Sequence, residues 1–415
     1  MPKLPAYPLY LALAFLTSLF FSLIFVVTSF YEVTVAGLSG LQLVLVGTTL
    51  EVVILLFEVP TGIVADAYSR KLSLVIGYLI MGLGFIIEGL FPYFAAILLA
   101  SGMWGLGYTF TSGAQQAWLS DEIGEEAANR AFLRANRFHL AGAFVGMLIT
   151  IPLGNLSVAL PILAGGAGLM LFAIFLALFM PETRFAPARP ENRNTFQHMG
   201  DIFKKGFATV RARPALTAVL GVGFIYGLYS EGWDRLWVKY LVDTFPLPSL
   251  FGMNEVAFLG VMRAAGMLLS IMVTQQVEKR LDSSHAPSIA KGLFWLTGSL
   301  ALAIFTFAFA PVLAVAVAAV LLVSITRNVL GPLYIAWVNQ RLDSDTRATI
   351  ISMSGQVDAI GQIASGPLAG VVSLWSVQAA IAFAGFLLSP ALPLIRRANR
   401  LHVGETQESN PLPND

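Results

Sequence analysis

Charged side chains stand inside long apolar runs of this chain, and they are the residues whose chemistry needs an account. Glu231, Asp234 and Arg235 lie close together in "GLYSEGWDRLWVKYL" (227–241), with Glu231 and Arg235 at the i,i+4 spacing that lets an acid and a base pair on one helix face. Glu51, Arg327 and Asp358 fall near the middle of other apolar runs, and Arg263 lies nearer the end of its own. A charge at the centre of a bilayer costs about 2.5–3.5 kcal/mol on insertion scales, so each needs a partner, water or a function. The bland account is mutual neutralisation that fixes helix packing. The alternative is proton or ligand handling, because a carboxylate withdrawn from water titrates nearer neutrality. Other chemistry is excluded. The chain has no cysteine, and its four histidines (His139, His198, His285, His402) are too scattered for a metal. A phosphate-binding G-x-x-x-x-G-K-[ST] loop, a G-x-S-x-G elbow and a zinc-protease motif are all absent. The chain is therefore read as a non-enzyme without cofactor or metal.

The elements that must position these charges are membrane helices. Of the 415 residues 57% are hydrophobic and 12% charged, with a mean hydropathy of +0.75, whereas charged residues make up about a quarter of soluble domains. The net charge of +1 argues against a nucleic-acid partner. A span needs about 20 apolar residues. That length predicts twelve helices, at 9–30, 41–60, 72–91, 94–117, 136–154, 157–180, 215–238, 255–277, 289–309, 312–338, 348–372 and 374–394. The first run is longer than a signal-peptide core and is read as a retained helix. A polar stretch rich in proline and charge divides the twelve into six and six, which predicts two six-helix bundles, 1–183 and 215–396, with a linker at 184–214 and a tail at 397–415. Residues 403–415 read as disordered from their polarity. The Lys and Arg residues, from Arg70 and Lys71 through Arg130, Arg134 and Arg137 to Arg396, Arg397 and Arg400, gather on one side, with Lys239 near an outer loop. The positive-inside bias then predicts a multi-pass protein of the cell membrane with both termini cytoplasmic.

One connection carries a motif. "FEVPTGIVADAYSRK" (57–71) follows the second span, and Pro60 reads as its terminator. Within it Gly62, Asp66, Arg70 and Lys71 match G-x-x-x-D-R-x-G-R-[RK], the signature loop of the major facilitator superfamily, which the chain resembles; Ala67 and Ser69 stand where the family has a basic residue and glycine. The stretches "FEVPTG", "WGLGYTFTSGAQQAWLSDE" (104–122), "GLYSEGWDRLWVKYL" and "TRATIISMSGQVDAIGQIASGP" (346–367) are similar to the drug-exporter branch of macrolide and tetracycline effluxers. The arginine that many drug:proton antiporters carry in the fourth helix is missing. The usual fifth-helix Gly-Pro motif is reduced to Gly142, Gly146 and Pro152.

The resemblance implies an all-α polytopic fold of two rocking bundles, and with it roles for the singled-out residues. Gly62, Asp66, Arg70 and Lys71 would form a conformational latch, with Asp66 accepting from the start of the eleventh helix near "SDTRAT" (344–349). In this fold the seventh and tenth helices line the central cavity, where Glu231, Asp234, Arg235 and Arg327 would face water and substrate; Glu231 and Asp358, with Glu51 in reserve, are the proton-coupling candidates. Trp104, Tyr108, Tyr226, Tyr229, Asp234, Arg235, Arg327 and Tyr334 are the substrate-cavity candidates, the rings stacking on a flat ligand. The function implied is proton-coupled antiport that exports lipophilic drugs by alternating access, acting as a monomer with bilayer, small molecule and protons as partners. Arg235, Arg263 and Arg327 motivate the alternative of an importer of an organic anion or metabolite. A lipid flippase or a non-transporting sensor is the alternative outside solute transport.

Overall fold

The computed structural model describes residues 3–187, 207, 208, 210, 211, 213–250, 252–280, 286–340 and 344–409. Much of the expected linker, including Arg189, Arg193, Lys204 and Lys205, lies outside the described residues, as do His198, His285, Arg341 and the tail from 410 onward. The described residues form helices α1 (Ala6–Thr34), α2 (Gly40–Ala67), α3 (Arg70–Leu90), α4 (Phe94–Thr111), α5 (Ala114–Ile123), α6 (Glu125–Leu156), α7 (Ala159–Phe179), α8 (Pro214–Thr244), α9 (Glu255–Arg280), α10 (Ala286–Ala308), α11 (Leu313–Val338), α12 (Ser344–Trp375), α13 (Val377–Leu387) and α14 (Ala391–Ser409).

Counting α4 with α5 and α13 with α14 as single spans, this is the expected twelve-helix polytopic architecture. Eleven of the spans are long and apolar enough to cross a membrane. The exception is α8. It is 31 residues long, but Glu231, Asp234, Arg235, Lys239 and Asp243 crowd its second half, which is also where the chemistry concentrates.

Local chemistry explains the ends. Ser39 and Gln42 form a reciprocal capping box on α2. Ser69 caps α3 by accepting from the Leu72 amide at 2.9 Å, and Ser376 caps α13 in the same way. The fourth span breaks at Gly113, whose φ of 73° is the left-handed region glycine tolerates. Two expectations about ends need correction. Pro60 lies inside α2, which runs on to Ala67; Thr61 Oγ1 donates to the Phe57 carbonyl at 2.8 Å, supplying a donor in the turn the proline disrupts. Likewise α14 continues through 403–409, where polarity alone predicts disorder. Its buried Ile395 and Ala398 nucleate the helix, and propagation is then easy.

The chain divides into two compact units, Met1–Thr195 with Leu247–Ala264, and Phe196–Pro246 with Ala265–Asp415. In the first, α1 packs on α6 and α7, α3 lies between α4 and α7, and α2 packs on α4. Glycines in the fourth span allow this: a Cβ on Gly107 would meet Gly77 O at 2.6 Å, and one on Gly105 would meet Leu50 O at 3.0 Å. The start of α9 joins this unit, where Asn254 Nδ2 donates to Gly154 O at 2.8 Å and its amide to Asn155 Oδ1 at 2.9 Å. In the second unit α8 is central, packed on α12, α13 and α14, while α10 packs on α11.

Candidate functional site

The second unit brings most of the singled-out residues together around α8. Arg327 on α11 reaches Asp234 on α8 with both terminal nitrogens, Nη1 donating to Oδ1 and Nη2 to Oδ2 at 2.8 Å. This fork-to-fork geometry is the strongest ion-pair arrangement available to a carboxylate. About a third of the Arg327 side chain (32%) and 41% of the Asp234 side chain remain exposed, so the pair is open on one side. The Arg327 guanidinium also stands 5.8 Å from the centroid of the Tyr229 ring. Asp358 on α12 accepts from Gln362 Nε2 at 2.9 Å and is within electrostatic reach of both Arg327 and Asp234.

One turn before Asp234, Glu231 pairs with Arg235 across 3.4 Å, the i,i+4 partner its spacing predicts. Only 2% of its side chain is exposed, against 17% for Arg235. Two acids three residues apart on one helix therefore live differently, Glu231 enclosed and Asp234 accessible.

The tyrosines sit deeper. Tyr226, Tyr229 and Tyr334 are all buried. The Tyr226 hydroxyl hydrogen-bonds Thr297 at 2.7 Å. The Tyr334 hydroxyl donates to Val219 O and accepts from Ser354, each at 3.2 Å, and the two rings meet edge to face. Beneath them α8 and α12 cross closely: a Cβ on Gly361 would lie 2.9 Å from the Leu228 amide nitrogen.

The first unit holds the rest. Trp104 packs against Phe25 and Phe85, with centroids 4.7 and 5.9 Å away. Tyr108, one turn on, is exposed, and Glu51 on α2 is half-buried. At the other end of this unit Arg70 donates to Asp121 across 2.8 Å and lies 3.9 Å from Asp66, whose side chain is 67% exposed. Gly62 is on α2, and the Lys71 amide donates to Glu182 at 2.9 Å. Glu182 also accepts from Ser69 Oγ at 2.6 Å, so the carboxylate on the N-terminus of α3 is Glu182, where the helix dipole favours it. The residues after α7 are pinned from α5, with Trp118 Nε1 donating to Pro181 O at 2.7 Å and Glu122 accepting from Thr183. Sequence reasoning missed Glu182 and Asp121. For Glu182 the signal was "PET" (181–183) directly after an apolar run, read only as the end of the first bundle before the linker. The side chains of 344–346, 348 and 349, expected opposite Asp66, are outside the described residues.

A family profile described as Major Facilitator Superfamily matches residues 9–366. A protein of Bacillus subtilis (strain 168) named "Uncharacterized MFS-type transporter YxaM" is 25% identical over 85% of this chain and 86% of its own length. Among solved structures, the nucleoside transporter NupG superposes with a TM-score of 0.72 at 13% identity, covering 96% of this chain and 99% of that one. A POT family transporter in complex with 5-aminolevulinic acid superposes at 0.70 and 12% identity, covering 94% of both chains. A bacterial homologue of the human lysosomal transporter Spinster, inward-facing and unoccupied, superposes at 0.72 and 15%, covering 97% of this chain and 98% of that one. These findings correct one expectation. Nothing in them supports the macrolide and tetracycline effluxer branch, and the solved transporters named for a solute carry nucleosides or peptides, which overturns lipophilic-drug export by antiport. The short stretches that suggested it follow the packing of the shared fold, in which glycine and aromatic residues recur whatever the cargo. The agreement of the family profile over most of the chain with the twelve-span fold identifies this protein, a transporter and not an enzyme, as a member of the major facilitator superfamily.

Proposed function

We propose that the protein takes up a small organic anion or metabolite by secondary active transport, with protons as the coupling ion. The observation that carries this reading is the open Asp234–Arg327 pair. Arg327 presents a planar fork inside a span, and a solute carboxylate can replace Asp234 on it, so that the guanidinium stays paired while the displaced Asp234, 41% exposed, is left to water or a proton. Lipophilic cargo would gain nothing from such a fork. Glu231 and Asp358, with Glu51 in reserve, are the groups that would carry the proton, Tyr226, Tyr229, Arg235 and Tyr334 would shape the cavity around the pair, and Trp104 and Tyr108 are the substrate-cavity candidates of the first unit. Gly62, Asp66, Arg70 and Lys71 would act as the latch between transport states. The termini would face the cytoplasm, as the Lys and Arg bias argues.

The test is accumulation of carboxylate solutes in cells expressing the chain, read by mass spectrometry of extracts with and without a protonophore. Protonophore-sensitive enrichment of one anion, lost in Arg327→Gln, is expected. Enrichment of neutral or cationic solutes only, unchanged in Arg327→Gln, would overturn the reading.

A further inference from the structure

The second unit carries a cavity apart from the Asp234–Arg327 site, lined by none of the transport-site candidates. It measures about 170 Å³ and lies between the first turns of α10 and the middle of α14, with room for a phosphodiester group beside the ~30 Å³ of a water. Its walls present two cations, Lys291 and Arg396. The Arg396 guanidinium carbon lies over the Phe294 ring, 4.2 Å from its centroid. Among the described residues neither cation has a carboxylate partner. Asn399 also lines the cavity, and its buried Oδ1 has no hydrogen-bond partner among the described residues, an acceptor that a hydroxyl donor in the cavity would satisfy. Arg397 and Arg400 are exposed nearby on α14. The start of α10 adds the positive end of its dipole to the same space.

The surface beside the cavity identifies what enters it. The face of α10 that packs inward carries Leu293, Thr297, Leu300 and Ile304, all buried. Its outward stripe runs Lys291, Trp295, Leu302, with Trp295 67% and Leu302 66% exposed. A cation, then an interfacial aromatic, then an aliphatic is the order a helix shows from headgroup to hydrocarbon. The cavity therefore opens at the headgroup level of a lipid-facing surface.

We infer that Lys291 and Arg396 form a binding site for the phosphate of an anionic phospholipid, with Asn399 accepting from a hydroxyl of its headgroup and the acyl chains lying along Trp295 and Leu302. The lipid ties α10 to α14, both of which pack around the α8 core.

The experiment is native mass spectrometry of the purified full chain, titrated with phosphatidylglycerol or phosphatidylcholine. Phosphatidylglycerol is expected to bind in preference. The Lys291→Gln/Arg396→Gln double variant should weaken it by about fivefold for each cation removed, with phosphatidylcholine unchanged. Lys239→Gln, which removes a cation already paired with Asp243, should leave phosphatidylglycerol binding as it was. Phe294→Leu keeps both charges and removes the ring under Arg396, so it should weaken binding severalfold even if the double variant fails to fold. Equal affinity for the two lipids, or phosphatidylglycerol binding unaltered in Phe294→Leu and the double variant, would overturn the site. Displacement of the lipid by equimolar inorganic phosphate would assign the cavity to free anions and overturn the lipid assignment.

Discussion

Asp234 and Arg327, 93 residues apart in the chain, meet through two parallel hydrogen bonds while 41% and 32% of their side chains stay accessible. A closed pair serves packing alone, and an open one can exchange partners. Breaking a fully buried pair costs about 3–5 kcal/mol, and here the exposure reduces that figure. Asp234→Asn and Arg327→Gln are each expected to lower thermal stability, and the swap Asp234→Arg with Arg327→Asp to restore it. Uptake should not return in the swap, because the guanidinium has moved to another helix. Melting curves in detergent alongside uptake check this. Recovery of both together would make the pair purely structural.

Glu231 and Asp358 differ in enclosure and partners. Under the proposed coupling, Glu231→Gln or Asp358→Asn should still equilibrate solute down its gradient but lose more than tenfold in uphill accumulation. Proteoliposomes with an imposed proton gradient measure both. A variant that concentrates solute at the normal rate has lost no coupling group.

Glu182 and Asp66 separate stability from turnover. Glu182→Gln removes charged hydrogen bonds to Ser69 and to the Lys71 amide and is expected to cost about 1–2 kcal/mol. Asp66→Asn, at a mostly exposed side chain, should leave the melting temperature within error and slow transport if the latch operates. Equal destabilisation by both would show that Asp66 serves the fold.

The crossing of α8 and α12 gives a packing test. Gly361→Val places branched carbon against the backbone of α8 and should abolish folded yield. On the same helix a methyl group added at Gly355 would meet nothing within 4 Å, so Gly355→Ala should be neutral or stabilising by up to about 1 kcal/mol. Size-exclusion profiles of the two variants decide it.

Sequence alone determined what depends on neighbours along the chain. Apolar runs of membrane length predict the spans, because a helix satisfies its own backbone and lipid demands apolar side chains. The Glu231–Arg235 pair was legible for the same reason, since one helical turn sets the distance between its members. The tertiary structure decided every choice of distant partner: Arg327 for Asp234, Thr297 for Tyr226, and Glu182 for the start of α3, 111 residues from Lys71. Those choices depend on how each helix is rotated and how far it slides against the next. Many rotations bury an apolar helix equally well, so nothing in its own residues singles out one; the packing of small residues such as Gly227 and Gly361 against neighbouring backbone does.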